Sequence, residues 1–265
     1  MRDSMLRIYR RSNSRHFATG LMRREFRAPI RTPDSVRQKY GAILINYGCS
    51  TAPSWDNPIA YRWINHPDAV NRAANKILTF KTLAPAVNLP EWTTSKETAQ
   101  QWLANGHIVY ARTKIRSSSA RGLIVVEPGQ VLPNAPLYTK RFRTGREYRI
   151  HVVDTACLVV QKRPMSREKL DLAGLERADS KVRNIHTGWV YSSEIDKPPA
   201  PTLNILRSAA VAATKKLGLD YGAADIMYSP KWDEYVVLEV NSAPGMSNTL
   251  TQSFYINELK QLIKG

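Results

Sequence analysis

Residues 225–241 constrain this 265-residue chain more than any other stretch. Two apolar runs, 223–229 and 235–241, flank a turn-forming segment, 230–234, which is the pattern of an antiparallel β-hairpin. If Ser229 faces Tyr235 across a five-residue loop, Asp225 lies directly opposite Glu239, and Asn241 falls on the same face. A register slip of one residue would part them; a slip of two would not. Carboxylates set opposite each other repel. Either one takes up a proton or a cation sits between them. Asp, Glu and Asn side-chain oxygens are the hard donors that magnesium takes alongside water and phosphate. The alternative is a solvated face on which the carboxylates meet Lys or Arg.

Elsewhere, strands and helices interleave without a regular βαβ period. That points to mixed α/β or α+β lobes rather than a barrel or a doubly wound sheet. Segments 6–9, 42–47, 107–111, 123–126, 137–140, 148–153 and 158–161 read as strands. Phe17, Leu21, Met22 and Phe26 share a helical face, with Ser12, Asn13 and Ser14 as candidate caps. Residues 68–83 read as one helix, capped by Asp68 or Asn71, and 95–105 as a second ending at Gly106. Further helices cover 203–217 and 254–263, and 166–180 is charged and amphipathic. Residues 49–58 and 117–122 read as loops, and 198–201 as a linker.

Lys and Arg number 39 against 22 acids, a net +17 that suits a polyanionic partner. Ten arginines and three acids precede residue 38, and no apolar stretch follows them, which argues against a secretory signal. Cys49 and Cys157 are too few for a disulfide framework or a cysteine-based zinc site, and suit free thiols in a reducing compartment. No apolar run approaches the ~20 residues needed to span a bilayer. The five histidines lack metal-binding spacing.

Leu238-Glu239-Val240-Asn241 followed by Ser242-Ala243-Pro244-Gly245-Met246, with Gly218-Leu219-Asp220-Tyr221-Gly222-Ala223-Ala224-Asp225 upstream, resembles the signature of the ATP-grasp superfamily. Its members include D-alanine–D-alanine ligase, glutathione synthetase and the ribosomal-protein glutamate ligases. The resemblance runs from about Ala74 to the end and fades in the first seventy residues. It implies two α+β lobes sandwiching a nucleotide, with a reduced N-terminal substrate domain over 1–72, a lid over 73–136 and a catalytic unit over 137–265. Asp225, Glu239 and Asn241 would hold one or two Mg2+ ions, with Mn2+ as an alternative, and ATP would lie over them. Lys76, Arg112, Lys114, Tyr138, Thr139, Lys140, Glu147 and Lys162 would bind the nucleotide. Arg112 stands where the family has a lysine, and the acidic residue often found near Lys140 is absent. Residues 117–122 would be the lid loop. Arg149 and Arg183 would be catalytic, with Arg149 facing the transferring phosphoryl group, and Gly245 and Met246 would touch substrate.

The implied reaction is ATP-dependent carboxylate–amine ligation through an acyl phosphate, releasing ADP and phosphate, with no Ser, Cys or His nucleophile. Its substrates would be a small carboxylate and an amine, or an anionic macromolecule such as nucleic acid or an acidic protein tail docked on the arginine-rich N-terminal region. The setting would be cytoplasmic, the host's cytoplasm if the chain is phage-encoded, with no membrane partner. The competing expectation is a non-catalytic polyanion-binding protein on a degenerate ATP-grasp scaffold.

Overall fold

The computed structural model describes residues 5–12, 16–37, 39–54, 61–116 and 120–264. Asn13 and Ser14, residues 55–58 of one expected loop and residues 117–119 of the expected lid loop lie outside these. Three sheets organise the chain. The first is parallel, ordered β2–β1–β3–β4, from β1 (Leu6–Tyr9), β2 (Ile30–Arg31), β3 (Ala42–Asn46) and β4 (Tyr61–Ile64), with helix α1 (Phe17–Phe26) after β1. Helices α2 (Pro67–Ala74) and α3 (Lys76–Leu83) follow. The second sheet is small and antiparallel, ordered β5–β8–β6–β7, from β5 (Trp92–Thr93), β6 (Val109–Arg112), β7 (Leu123–Val126) and β8 (Leu137–Lys140), with α4 (Lys96–Ala104) packed on it. The third is antiparallel with five strands, β9 (Arg146–Val153), β10 (Ala156–Pro164), β11 (Trp189–Ser192), β12 (Tyr221–Ser229) and β13 (Glu234–Asn241), in the order β11–β10–β9–β12–β13. Helices α5 (Arg167–Leu172), α6 (Ala200–Lys216) and α7 (Thr249–Lys264) complete the chain.

The large sheet is built on period-two alternation. Tyr148, Ile150 and Val152 of β9 and Ala224 and Ile226 of β12 point to one face. There they meet Leu206, Ala209, Ala210 and Ala213 of α6, whose alanine stripe lets the helix lie close to the sheet. The linker expected over 198–201 is instead the start of this helix. Pro199 is its N-cap, and Pro201 falls in the first turn, where a missing N–H leaves no intrahelical bond unmade. Gly218, at φ +78°, ends it.

The single helix expected over 68–83 is broken at Asn75, which adopts extended backbone. Its Oδ1 accepts hydrogen bonds from Ile77 N and Leu78 N and so starts α3 afresh. Neither Asp68 nor Asn71 caps α2; His66 Nδ1 accepts from Asp68 N instead. At α1 the N-cap position is His16, without a side-chain cap bond. β8 is hydrogen-bonded within the small sheet, while Leu83 of α3 sits in the core of the large one.

The C-terminal helix returns to the N-terminal sheet. Tyr255, Ile256 and Leu259 of α7 pack with Ile8, Leu21, Met22, Ile45 and Ile64. Asn65 and Asp220 clamp the two sheets' ends together: Asn65 N donates to Asp220 Oδ2 at 2.5 Å, and Asp220 N donates to Asn65 Oδ1 at 2.8 Å. Tyr47 donates its hydroxyl to Pro244 O at 2.6 Å. Beside it, Gly48 (φ +74°) lies so close to Ala243 that a β-carbon there would fall 2.7 Å from Ala243 Cβ. Among the described residues no helix is long and apolar enough to cross a membrane.

Asp225 does pair with Glu239, and Ala223 with Asn241, but the hairpin reaches that register by another route. At its turn Ser229 pairs with Glu234 and Tyr228 with Tyr235, one residue off the expected pairing. A bulge beside Asp225 absorbs Leu238 and restores the alignment. An unbulged ladder would have turned Asp225 and Glu239 to opposite faces.

Candidate active site

The alternation that buries Tyr148 and Ile150 sends Glu147, Arg149 and His151 to the sheet's other face. Arg149 lies beside Asp225 on β12, and Asp225 beside Glu239 on β13. Glu147 lies beside Lys162 on β10, and Lys162 beside Tyr191 on β11. The result is a floor of charges across five strands.

Each carboxylate of this floor has a cationic partner. Arg149 donates from Nε to Asp225 Oδ1 at 2.7 Å and from Nη2 to Oδ2 at 2.8 Å, a two-bond fork in which the Asp225 side chain is 4% exposed. Burial would raise the Asp225 pKa, but the guanidinium outweighs it and holds the carboxyl below its usual range. Burial would equally lower that of Arg149, and Asp225 raises it instead. Lys162 donates to Glu147, and also to the Arg183 carbonyl at 3.0 Å. Lys76 Nζ lies 3.7 Å from Glu239 Oε2, and burial draws its pKa down against the pull of Glu239. Asn241 Nδ2 donates to Glu239 Oε1 at 3.3 Å, which leaves the amide oxygen free to accept.

The small sheet roofs this floor over a cleft of about 1130 Å³. Arg112, Lys114, Arg116 and Arg121 line it from above, and the N-terminal lobe contributes Arg11, Gly48 and Ser50. Among the described residues, fourteen Lys and Arg side chains line the cleft against three carboxylates, so it favours a multiply charged anion. Arg112 is sharpest in this respect. Among the described residues its buried Nε has no hydrogen-bond partner, and burial lowers its pKa while Glu239 raises it.

No family model matches the chain, and no curated protein does. Solved structures do. D-alanine–D-alanine ligase from Bacillus anthracis is 13% identical over 98% of this chain and 96% of its own, with a TM-score of 0.65. VanG D-Ala:D-Ser ligase from Enterococcus faecalis is 15% identical over 98% of each chain, with a TM-score of 0.66. The ATP-grasp ligase PsnB, complexed with a minimal precursor, Mg and ADP, is 14% identical over 98% and 99%, with a TM-score of 0.65. The chain has the ATP-grasp fold.

Within the ATP-grasp fold, the cleft gathers Lys76, Arg112, Lys114, Thr139, Lys140, Glu147, Arg149, Lys162, Arg183, Asp225, Glu239 and Asn241. Three expected site residues do not line it. Tyr138 turns into the core of the small sheet, where its hydroxyl donates to Pro133 O and accepts from Ala135 N. Met246 is buried in the core shared by the N-terminal sheet and α7. Gly245 is exposed outside the cleft, although Ser242, Ala243 and Ser247 of the same turn reach it. Lys140 lines the cleft but is ion-paired to Glu91.

Two residues were not singled out from the sequence. Trp189 and Tyr191 belong to β11, which is short and was not read as a strand. The alternating Trp189-Val190-Tyr191-Ser192 after Gly188 was the available signal.

The oxygen set suits a hard cation only in part by itself. Among the described residues no three His, Cys, Asp or Glu side chains gather in metal-binding geometry. Asp225 has taken the arginine-paired alternative that the hairpin pattern left open. A carboxylate has about four acceptor sites, however, so Asp225 keeps capacity beyond its bonds to Arg149 and to the Tyr191 hydroxyl at 3.4 Å. The Glu239 side chain is 43% exposed and faces the cleft. Two carboxylates and one amide oxygen in neighbouring positions fit Mg2+, with Arg149 and Lys76 as resident cations competing for the same oxygens.

Proposed function

We propose that this protein is an ATP-dependent ligase that activates a carboxylate as an acyl phosphate and joins it to an amine, releasing ADP and phosphate. The observation that carries this reading is the charged floor beneath a cationic roof, in a chain with the ATP-grasp fold. Asp225, Glu239 and Asn241 would hold Mg2+, or Mn2+ in its place, which when bound offsets charge on the β- and γ-phosphates. Lys76, Arg112 and Lys114 would bind the phosphate chain from above. Glu147 and Lys162, already paired, would border the nucleotide. Arg149 lies next to Asp225 and would offset the charge that develops as the carboxylate oxygen attacks the γ-phosphorus and ADP leaves. The amine then attacks the acyl carbon, phosphate leaves, and the amine's proton passes to solvent. The roof's part is to exclude the water that would hydrolyse the acyl phosphate. PsnB is described in complex with a precursor peptide, and the surplus of cations here suits a carboxylate carried on an anionic chain as readily as a small acid. The setting is cytoplasmic in this reading.

The test is titration with ADP in the presence of Mg2+ or EDTA. Glu239→Ala should weaken the Mg2+-dependent binding at least tenfold. Incubation with ATP, Mg2+ and pooled amino acids or acidic peptides should release ADP. The second reading, a polyanion-binding protein on the same scaffold, draws on the Arg149–Asp225 fork. It requires ADP binding indifferent both to Mg2+ and to Glu239→Ala, a result that would overturn the ligase.

A further inference from the structure

Two arginines of the cleft lie over aromatic rings, and both rings come from one strand. β11 is the edge strand of the large sheet, hydrogen-bonded to β10. Its Trp189 and Tyr191 are two residues apart and therefore share a face. The guanidinium carbon of Arg183 is 4.5 Å from the centroid of Trp189, and that of Arg149 is 4.1 Å from the centroid of Tyr191. Lys162 Nζ is 5.1 Å from the same tyrosine ring. Trp189 is itself anchored, its Nε1 donating to Asp179 O at 2.7 Å.

Tyr191 touches both members of the central ion pair. Its ring lies under the Arg149 cation, and its hydroxyl donates to Asp225 Oδ2 at 3.4 Å. Burial, reinforced by Asp225, pushes the phenol well above its usual pKa, so it remains a donor. The two holds on Arg149 differ in kind. The Asp225 fork occupies N–H donors of the guanidinium, whereas a ring face occupies none. A cation joining Asp225 competes with Arg149 for its oxygens and so loosens that fork, even though lone pairs and N–H groups outside it remain. With the carboxylate as its sole hold, the long arginine side chain would then be free to swing. A ring beneath the guanidinium keeps its plane fixed and leaves the released N–H groups available to the newcomer.

We propose that Tyr191 is a positioning residue whose ring holds Arg149 at the reacting phosphoryl group while Asp225 is shared with another cation. This rests on the ligase reading above. Trp189 is the equivalent platform for Arg183.

The test compares the full chain with Tyr191→Phe, which keeps the ring, and Tyr191→Leu, which keeps bulk without it. Without nucleotide, the Arg149 Nε–H resonance of 15N-labelled protein, assigned by its loss in Arg149→Lys, should be ring-current shifted in the parent and in Tyr191→Phe. It should move toward the ordinary arginine position in Tyr191→Leu. With nucleotide, all three should bind ADP–Mg2+ within about twofold of one another. Adding aluminium fluoride, which mimics the phosphoryl group in transit, should tighten the parent and Tyr191→Phe alike and Tyr191→Leu about tenfold less. Equal tightening in Tyr191→Leu, or an unmoved resonance, would overturn the proposal. So would Tyr191→Phe behaving like Tyr191→Leu, because the hydroxyl would then be the hold. A parent that binds no ADP–Mg2+ at all sinks the ligase, and the resonance alone then decides whether the ring holds the arginine.

Discussion

The floor and the roof of the cleft treat charge in opposite ways. On the floor Asp225, Glu147 and Glu239 each have a cation beside them, from the sheet itself for the first two and from Lys76 of α3 for the third. The roof strand β6 and its following loop bring Arg112, Lys114, Arg116 and Arg121, and no roof carboxylate lines the cleft among the described residues. Pairing on the floor fixes geometry. The roof's cations bear on whatever enters the cleft, and the buried Nε of Arg112 has no hydrogen-bond partner among the described residues. The floor sets its carboxylates beside cations, while the roof brings cations to the cleft with no cleft-lining carboxylate of its own among the described residues.

Breaking a floor pair should therefore be costly to folding. Arg149→Ala leaves a buried carboxylate without its counter-ion, which typically costs about 3–5 kcal/mol. Urea unfolding should show that loss. The double change Arg149→Met with Asp225→Leu should recover most of it, because the buried charge goes with its partner. A single variant within about 1 kcal/mol of the parent would remove the distinction between floor and roof.

The roof should respond the other way. Arg112→Met removes a buried charge that donates no bond from Nε, so the melting temperature should hold or rise. Affinity for ADP–Mg2+ should fall about tenfold, or roughly 1.4 kcal/mol. A melting temperature several degrees lower, with affinity intact, would make Arg112 a structural residue and the roof no different from the floor.

Much of the floor was legible in the sequence because it follows from period two. Glu147, Arg149 and His151 alternate with Tyr148, Ile150 and Val152, and that pattern separates the polar face from the face against α6, although by itself it describes any half-exposed strand. What spacing could not show was long-range or irregular. The Leu238 bulge is invisible to a register count, and the Asp225–Glu239 pairing held only because it compensates a turn one residue tighter than expected. Asn75 reads as an ordinary helical position until its side chain is seen accepting from Ile77 N and Leu78 N. The Tyr138 side chain faces the core of the small sheet, which a motif match cannot show because it gives a strand without saying which side chains face the cleft. Met246 packs into the core shared by the N-terminal sheet and α7 while Gly245 beside it is exposed, a difference that spacing within the motif does not show. Tyr191 shows only the short alternation Trp189-Val190-Tyr191-Ser192, and nothing in it marks the ring as lying beneath Arg149.

A pH effect tests how far the floor's compensation extends. His151 follows Arg149 on the same face but is held neutral. Burial, then the Arg149 charge, lowers its pKa to about 3 against the pull of Asp225. Its Nδ1 lies 3.0 Å from the Tyr255 hydroxyl, and that hydroxyl donates to Gly222 O at 2.7 Å, so Nδ1 carries the ring proton toward the phenol oxygen. A histidine whose folded pKa lies below its unfolded value stabilises the fold fully above about 6.5, and the contribution fades as pH falls toward 3. Within that window the unfolded chain binds the extra proton, at a cost of up to about 1.4 kcal/mol per pH unit. Other groups titrate there too, so the measurement is a difference between variants. Unfolding free energies at pH 7 and pH 4.5 should diverge less in His151→Gln than in the parent, while Arg112→Met follows the parent's slope. If His151→Gln and the parent lose stability in parallel, the imidazole is not held neutral, and the floor's compensation ends at Arg149.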